Sequence, residues 1–521
     1  MNRDGSKGAA FLVGAGIFLS RIAGLVRNKV FAFYFGSSLA ADALNAAIRI
    51  PNLLQNLFGE GVLSASFIPE YSGLLAQGKK EEADKLAGVV AAMLALTSAI
   101  VVLVGVLLAP ALVSVIAGGF KGERRDLAVR LTRILFPGAG LLVLSAWCLG
   151  ILNSHRKFFI SYTAPVVWNL AMIGALIGFG SGTPQIRLAE IVAWASVVGS
   201  ALQFGVQLPL VLRLASGMRL NLGARTSSAQ SVFRNFLPAF ISRGVVQISA
   251  YIDALIASWL PTGAVAVFAY AQVLYTLPVS LFGMAVSAAE LPIMSSAIGT
   301  TEEIATYLRG RLDGGLERIA FFIVPSAVAF LALGDVISAV LFESGRFTRS
   351  DSIWVWQILA GSTIGLLAST WGRLYSSTFY ALRDTRTPLR YAIIRVALTT
   401  VLGLIAALRL PGWLGLDPKV GVAGLTASAG IAGWVEFYLL RREITRRIGP
   451  TGVKGSFTLR LWIAAFLSAA IAWGVKLGLV STHRVIISLV ILAAYGVSFL
   501  VIATLMRIPE ATSLLARIRR R

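Results

Sequence analysis

The sequence predicts an all-α polytopic membrane protein with about fourteen transmembrane helices. Of its 521 residues, 57% are apolar and 14% are charged, whereas soluble chains are typically about 25% charged. A bilayer-spanning helix needs roughly 20 predominantly apolar residues, and apolar runs of this length recur along the chain between short polar or Gly/Pro breaks. The composition therefore excludes a soluble multidomain protein.

Taken in order, the apolar runs give two sets of six spans and a final pair. The first set is predicted at 9–35, 41–72, 85–117, 126–153, 159–181 and 187–213. The second set is predicted at 232–259, 264–298, 305–333, 351–382, 389–408 and 420–440, and the final pair at 458–478 and 484–506. We expect an N-terminal lobe over 1–220, a C-terminal lobe over 221–445, and two additional helices with a basic tail over 446–521.

The chain carries 47 Lys and Arg residues against 24 Asp and Glu residues. In a soluble protein this excess would suggest a nucleic-acid partner, but in a membrane protein basic residues collect in cytoplasmic loops. The segments on the side of the N-terminus hold about 26 basic residues and those on the other side about 12. We therefore expect both termini in the cytoplasm and no nucleic-acid partner, although Lys121, Arg124 and Arg125 depart from this rule.

An internal repeat joins the two sets of spans. Ser20-Arg21 is followed by Phe58-Gly59 and Pro69, and a second copy at Ser242-Arg243, Phe282-Gly283 and Pro292 lies about 222 to 224 residues later. An even number of spans separates the copies, so the repeat is parallel. Chance matching is the alternative, but the spacing holds across two elements at once. Two parallel six-helix lobes around a central cavity are typical of a transporter.

The first two spans contain several charges that a lipid-facing helix would not carry. Asp42, Arg49 and Glu60 fall on one face of a continuous helix, and Asn45, Asn52 and Asn56 flank them. Arg21 and Arg27 on the first span can bind phosphate through their planar guanidinium groups. These residues either line a substrate cavity or hold the helices together as ion pairs.

The seventh span contributes Arg243 and Asp253, which are ten residues apart and therefore do not pair directly. Asp253 is a candidate proton or sodium site, and the alternative is a neutral carboxylic acid that Ser249 hydrogen-bonds. Signals of catalysis are weak, because one cysteine and two histidines cannot build a zinc or disulfide framework. We expect a transporter without a bound organic cofactor rather than an enzyme, driven by an ion gradient or the membrane potential.

Long motifs in this chain resemble the MurJ (MviN) family of lipid II flippases, within the MOP exporter superfamily. The resemblance rests on the opening and on segments spread over the whole chain: Ser20 to Arg27, Phe35-Gly36, Ala41-Asp42-Ala43, Arg49 to Leu54, Glu60-Gly61, Phe67 to Pro69, Tyr270-Ala271, Leu277-Pro278 and Phe379 to Pro388. It implies alternating access, in which lipid-linked disaccharide-pentapeptide crosses the bacterial cytoplasmic membrane for cell-wall synthesis. A monomer suffices for this architecture.

The resemblance also implies site residues. The substrate-binding positions are Arg21, Arg27, Asp42, Arg49, Glu60 and Asn169, and a possible sodium site maps onto Asp253, Asp384, Thr400 and the backbone at Val396. The chain departs from the family pattern at Asn28, Gln55 and Val273, where an acidic residue and two arginines are common. Arg243 is a hypothetical replacement for one missing cation.

Three other functions compete with this one. A related exporter would carry a different lipid-linked oligosaccharide or a cationic drug, and the arginines of the first span favour an anionic ligand over a drug. A polytopic glycosyltransferase or ligase would need a large outer loop with catalytic residues, which the spans do not leave room for. A channel fits the two-lobe repeat less well.

Overall fold

A computed structural model describes residues 3–58, 60–221, 230, 232, 234, 251–479 and 484–519. Within these residues the regular structure is helical, and an isolated bridge between Ser344 and Phe347 is the β-type pairing found. This confirms the predicted all-α class. The chain divides into two compact units, Met1–Ala266 and Val267–Arg521, which we describe separately. The predicted boundaries at 220 and 445 stay a prediction.

Eight helices precede residue 222 in the described part of the first unit. They are α1 (Arg3–Phe35), α2 (Leu39–Phe58), α3 (Glu60–Ala76), α4 (Lys80–Leu107), α5 (Ala109–Ile116), α6 (Gly122–Ser154), α7 (Phe158–Phe179) and α8 (Gln185–Leu214). Residues 251–258 are also helical, and α9 (Ala264–Pro278) begins just before the boundary between the units.

In the second unit, α9 continues through a π-helical turn (Val279–Met284) into α10 (Ala285–Ser295). The helices that follow are α11 (Thr301–Phe342), α12 (Arg349–Ala381), α13 (Arg386–Leu404), α14 (Leu410–Trp413), α15 (Gly421–Ile448), α16 (Gly455–Gly478), α17 (Arg484–Leu505) and α18 (Pro509–Arg519). A second π-helical turn (Ile405–Arg409) and a 3₁₀ turn (Pro418–Val420) flank α14.

Eleven helical segments within the described residues are long and apolar enough to cross a membrane. Each corresponds to one of the fourteen predicted spans. Of the other three, 9–35 and 41–72 are helical in the structure, and most of 232–259 lies outside the described residues. The chain is therefore a multi-pass membrane protein.

One predicted span is interrupted in the structure, and another is described in two parts. The predicted span 41–72 is described as α2, which ends at Phe58, and α3, which begins at Glu60, because Gly59 lies outside the described residues. The predicted span 85–117 is divided at Leu108 into α4 and α5, because Pro110 has no N–H group to continue the hydrogen-bond ladder. Asp42 and Arg49 share one face of α2, and the extension of the predicted stripe to Glu60 stays a prediction because Gly59 and the Glu60 side chain lie outside the described residues.

Glycine residues allow α12 and α15 to pack closely against each other in the second unit. Gly361 and Gly365 form a Gly-x-x-x-Gly pattern on α12, and a Cβ built on Gly365 would lie 2.3 Å from Cα of Gly430 on α15. Two backbones approach this closely only where side chains are absent, and such contacts hold helices together in lipid, where apolar burial provides little driving force. The Trp434 side chain on α15 also donates a hydrogen bond to the Ile364 carbonyl of α12.

We expect Gly365→Ala to lower the apparent melting temperature of the detergent-solubilised protein, because the added methyl group forces α12 and α15 apart. Overpacking of this kind costs about 1 to 3 kcal/mol. The matched control is Gly174→Ala on α7, where the new Cβ would meet nothing within 4 Å. Equal melting temperatures for the two variants would contradict this account of the contact.

Candidate binding site

Arg21 and Arg27 lie on α1, which packs against α7 in the first unit. Arg21 is exposed, and it makes no hydrogen bond or ion pair with a described residue. Arg27 is half-buried, and its guanidinium carbon lies 4.8 Å from the centre of the Trp168 ring on α7. Its Nη2 donates to Oδ1 of Asn28 at 3.1 Å. Among the described side chains no carboxylate neutralises either arginine.

Asn169 follows Trp168 and is buried against α1. Its amide nitrogen donates to the Pro165 carbonyl at 2.9 Å, and its Oδ1 has no hydrogen-bond partner among the described residues. A Cβ on Gly24, between the two arginines, would lie 4.0 Å from this oxygen. Buried amide oxygens are normally satisfied, so an acceptor is present beside the arginine-bearing face of α1.

A cavity of about 10 Å³ adjoins these residues, which is room for a single water molecule. The residues that line it come from α2, α6, α7 and α8: Ile48, Asn52, Leu135, Gly138, Ala139, Leu142, Trp168, Ser196 and Ser200. The structure therefore places Asn52 near Trp168, where both residues line this cavity.

Asp42, a predicted substrate-binding position, is bound by protein donors in this structure. The side chain is fully buried, and its carboxylate accepts hydrogen bonds from the backbone N–H groups of Gly263 and Ala266 at 2.7 and 2.9 Å. Arg124 forms an ion pair with it at 3.1 Å. Asp42 thus caps the first turn of α9, where a negative charge is favourable. Because protein donors occupy both of its oxygens, Asp42 has a structural role in this structure, and its contact with a substrate stays a prediction.

Arg124 extends this contact to the start of α6 and the end of the helix at 251–258. Its Nη2 donates to the carbonyl oxygens of Ser258 at 3.2 Å and Gly119 at 3.4 Å. The Gly119 N–H in turn donates to Oγ of Ser258 at 3.0 Å. Arg124, which departs from the predicted distribution of basic residues among the loops, therefore has a structural role within the first unit.

Arg49 and Asp253, predicted for two different sites, both lie in the first unit, and the Tyr251 hydroxyl donates to the Arg49 carbonyl at 2.9 Å. Both residues have interaction partners in the structure. The role of Asp253 as a proton or sodium site stays a prediction. Glu60 begins α3 but its side chain is outside what the structure describes, and Arg243 also lies outside the described residues.

The four residues predicted for sodium do not form one site. Asp384 precedes α13, whereas Val396 and Thr400 lie 12 and 16 residues further along the chain in that continuous helix, about 18 to 24 Å at 1.5 Å per residue. Cation–oxygen bonds are roughly 2.0 to 2.6 Å, so Asp384 cannot share an ion with the other two. Thr400 Oγ1 donates to the Val396 carbonyl at 2.8 Å.

Asp384 instead holds the beginning of α13. It accepts hydrogen bonds from the backbone N–H groups of Arg386 and Thr387, and from the Thr387 hydroxyl at 2.7 Å. Arg447 forms an ion pair with it at 2.8 Å. The hydrogen bonds from Thr387, and then Arg447, lower the pKa of the Asp384 carboxyl to about 2. This carboxylate therefore stays ionised at physiological pH.

The family of this chain follows from comparison with known proteins. The family model described as lipid II flippase MurJ matches residues 31–504. The chain belongs to the MurJ family.

Curated members of the MurJ family are similar over most of their length. A probable lipid II flippase MurJ of Rhizobium tropici is 33% identical over 84% of this chain and 80% of its own. A lipid II flippase MurJ of Burkholderia cenocepacia is 31% identical over 82% of both chains. The prediction of a transporter rather than an enzyme is confirmed by this family.

Solved structures show the same fold. A lipid II flippase MurJ in an inward closed conformation superposes with a TM-score of 0.78 at 23% identity, covering 95% of this chain and 98% of that one. An inward-facing multidrug MATE transporter of the MOP superfamily gives 0.64 at 19% identity, over 81% and 95%. The predicted MOP exporter fold is confirmed.

Sequence reasoning missed three residues that contact the predicted site residues Asp42, Arg27 and Arg49, namely Arg124, Trp168 and Tyr251. Arg124 had a usable signal, because a basic residue on the unexpected side of the membrane needs a reason to be there. Trp168 directly precedes Asn169, which the resemblance did select. Tyr251 lies two residues before Asp253, and no pattern in the sequence connects it with Arg49.

We expect Asp42→Ala to destabilise the protein by roughly 3 to 5 kcal/mol, because it leaves Arg124 buried without its charge partner. The apparent melting temperature in detergent measures this. The matched control is Glu190→Ala, which removes the partner of Arg130. That ion pair is more exposed than the pair of Asp42 and Arg124, so its loss should cost less than about 1 kcal/mol. An Asp42→Ala protein as stable as the control would contradict this structural role of Asp42.

The Asp384 pKa predicts how stability depends on pH. Because the folded-state pKa lies below the unfolded value of about 3.9, the contribution of this carboxylate is complete above about pH 4 and is lost as the pH falls towards 2. The difference in melting temperature between the parent protein and Asp384→Asn should therefore be constant from about pH 5 to 8 and shrink below about pH 4. A difference that changed between about pH 6 and 8 would mean that this carboxyl titrates there.

Proposed function

We propose that this protein moves lipid II, an undecaprenyl-pyrophosphate disaccharide-pentapeptide, from the inner to the outer leaflet of a bacterial cytoplasmic membrane for peptidoglycan synthesis. The pyrophosphate binds to Arg21 and Arg27 inside the first unit, and the protein releases it on the other side by alternating access. The polyprenyl tail stays in the lipid.

The observation that carries this proposal is the state of the two α1 arginines. Arg27 donates to the neutral Asn28 amide and stacks on Trp168, and no described carboxylate neutralises it. Arg21 is exposed on the same helix. Guanidinium groups bind phosphate oxygens through paired N–H donors, so an anionic headgroup suits both residues. Family membership names lipid II as the substrate that carries such a headgroup.

The location and orientation follow from the loop charges. Basic residues are concentrated on the side of the N-terminus, which we assign to the cytoplasm together with the C-terminus. The curated relatives are bacterial proteins. We propose that the protein acts as a monomer.

A related exporter of another lipid-linked oligosaccharide is the second candidate, because it would present the same pyrophosphate to the same arginines. A cationic drug fits less well, since Arg21 and Arg27 would repel it. The drug exporters of the superfamily share the fold of this chain at 19% identity, which carries no argument about the substrate.

Sodium or the membrane potential is proposed to drive the cycle. The sodium site that the family resemblance implies at Asp253, Asp384, Val396 and Thr400 is untested as a whole, and within the second unit Asp384 lies too far along the chain from Val396 and Thr400 to share an ion with them. Replacement of sodium by choline in a transport assay distinguishes sodium coupling from coupling to the potential.

We expect Arg21→Ala and Arg27→Ala each to weaken lipid II binding at least about tenfold, because each substitution removes charge-assisted hydrogen bonds to phosphate. Native mass spectrometry of the purified protein with lipid II, a polysaccharide-type undecaprenyl pyrophosphate and a cationic dye measures the three affinities in parallel. Transport of fluorescent lipid II in proteoliposomes should fall with binding.

Arg130→Ala is the matched control, because this arginine is half-exposed and pairs with Glu190. It should leave both measurements unchanged. Preference for the polysaccharide lipid would favour the second candidate. Binding of the dye, or lipid II binding that does not depend on either arginine, would contradict the proposed site.

A further inference from the structure

Trp168 is the neighbour that defines the position of the Arg27 side chain. The guanidinium carbon lies over the indole ring, 4.8 Å from its centre, within the range of a cation–π interaction. Tryptophan is the most favourable aromatic partner for a cation. Nothing in the motifs of the first two spans pointed to this residue, which lies 141 positions further along the chain.

The indole ring is itself held in place by α8. Its Nε1 donates to Oγ of Ser196 at 3.1 Å. One turn further along α8, a Cβ on Gly199 would lie 3.0 Å from Cδ1 and 3.1 Å from Cα of Trp168. The missing side chain at Gly199 therefore makes room for the tryptophan, and the hydrogen bond to Ser196 fixes the direction in which the ring faces.

Stacking leaves the donors of Arg27 available. A guanidinium presents its N–H groups in the plane of the group, whereas the indole covers one face. In this structure Nη2 bonds to Asn28, and the other N–H groups have no partner among the described residues. An arginine held by its face can therefore still bind phosphate oxygens with its edge. A flexible arginine would lose more side-chain entropy on binding.

We propose that Trp168 is a positioning residue for the anionic headgroup, holding the Arg27 guanidinium so that its N–H edge faces the ligand, and that Ser196 fixes the indole for this purpose. This inference rests on the proposed function of Arg27. On this proposal α7 and α8 contribute to headgroup recognition indirectly, because Ser196 on α8 holds Trp168 on α7 and Trp168 holds Arg27.

Three substitutions separate the contributions. Trp168→Leu keeps apolar volume but removes the aromatic face, and we expect lipid II to bind roughly five- to tenfold more weakly. Trp168→Phe keeps a face without the N–H donor, so its loss should be smaller. Ser196→Ala keeps the tryptophan and releases its hydrogen bond, and should weaken binding about two- to threefold. Affinities are measured by native mass spectrometry on the full chain.

The double variant Arg27→Ala/Trp168→Leu is the decisive measurement. If Trp168 acts through Arg27, the double variant binds no more weakly than Arg27→Ala alone. Additive losses would overturn the proposal, because Trp168 would then act independently. An unchanged affinity in Trp168→Leu, with Arg27→Ala still impaired, would overturn it and leave the proposed function intact. Normal binding by Arg27→Ala would instead contradict the proposed function.

A stability control separates positioning from packing. Trp194 lies on α8 and is 56% exposed, so Trp194→Leu should leave affinity and melting temperature unchanged. Should Trp168→Leu fold poorly, Ser196→Ala and Trp168→Phe still test the proposal. If Trp168 and Ser196 had a purely structural role, these variants would have a lower melting temperature but an unchanged affinity in the folded fraction. That result would overturn the proposal.

Discussion

A charge within a membrane-crossing helix has to be compensated by the protein, because lipid offers it neither water nor counterions. Several carboxylates of the described helices meet this requirement with cations from other parts of the chain. The pairs include Asp42 with Arg124, Glu290 with Arg311 and Arg318, Asp335 with Arg349 and Lys476, and Glu436 with Arg395. Arg21 and Arg27 differ, since no described carboxylate pairs with them, and the functional proposal depends on this contrast.

The class of the fold and most of the spans could be predicted because they depend on local composition. Eleven predicted spans correspond to helices that are apolar enough to cross a membrane. The interruption at Leu108 could also have been predicted from Pro110. Proline has no N–H group, so the hydrogen-bond ladder of the preceding helix cannot continue through it. The interaction partners of individual charged residues could not be predicted, because these partners lie far away along the chain. Asp42 is 82 residues from Arg124 and 221 from Gly263.

The family resemblance selected the arginines of α1, whose part in substrate binding stays a proposal. It also grouped Asp384 with Val396 and Thr400, which lie 12 and 16 residues further along the chain in α13. It also gave Asp42 to the substrate, whereas the structure gives its oxygens to Arg124 and the first turn of α9. A motif records which residues recur, and the structure is needed to tell a ligand contact from a cap. Asn28 is the instructive departure, because a neutral neighbour leaves the charge of Arg27 uncompensated.

The contact between Gly365 and Gly430 affects how genetic data on this protein would be interpreted. Any side chain at Gly365 collides with the backbone of α15, so a survival screen of all substitutions would find this position intolerant throughout. It would find Arg27 intolerant as well. The two profiles would still differ in kind, because a glycine contact rejects residues by size, whereas a phosphate-binding arginine rejects them by charge. The order in which substitutions fail therefore separates architecture from chemistry without any transport assay.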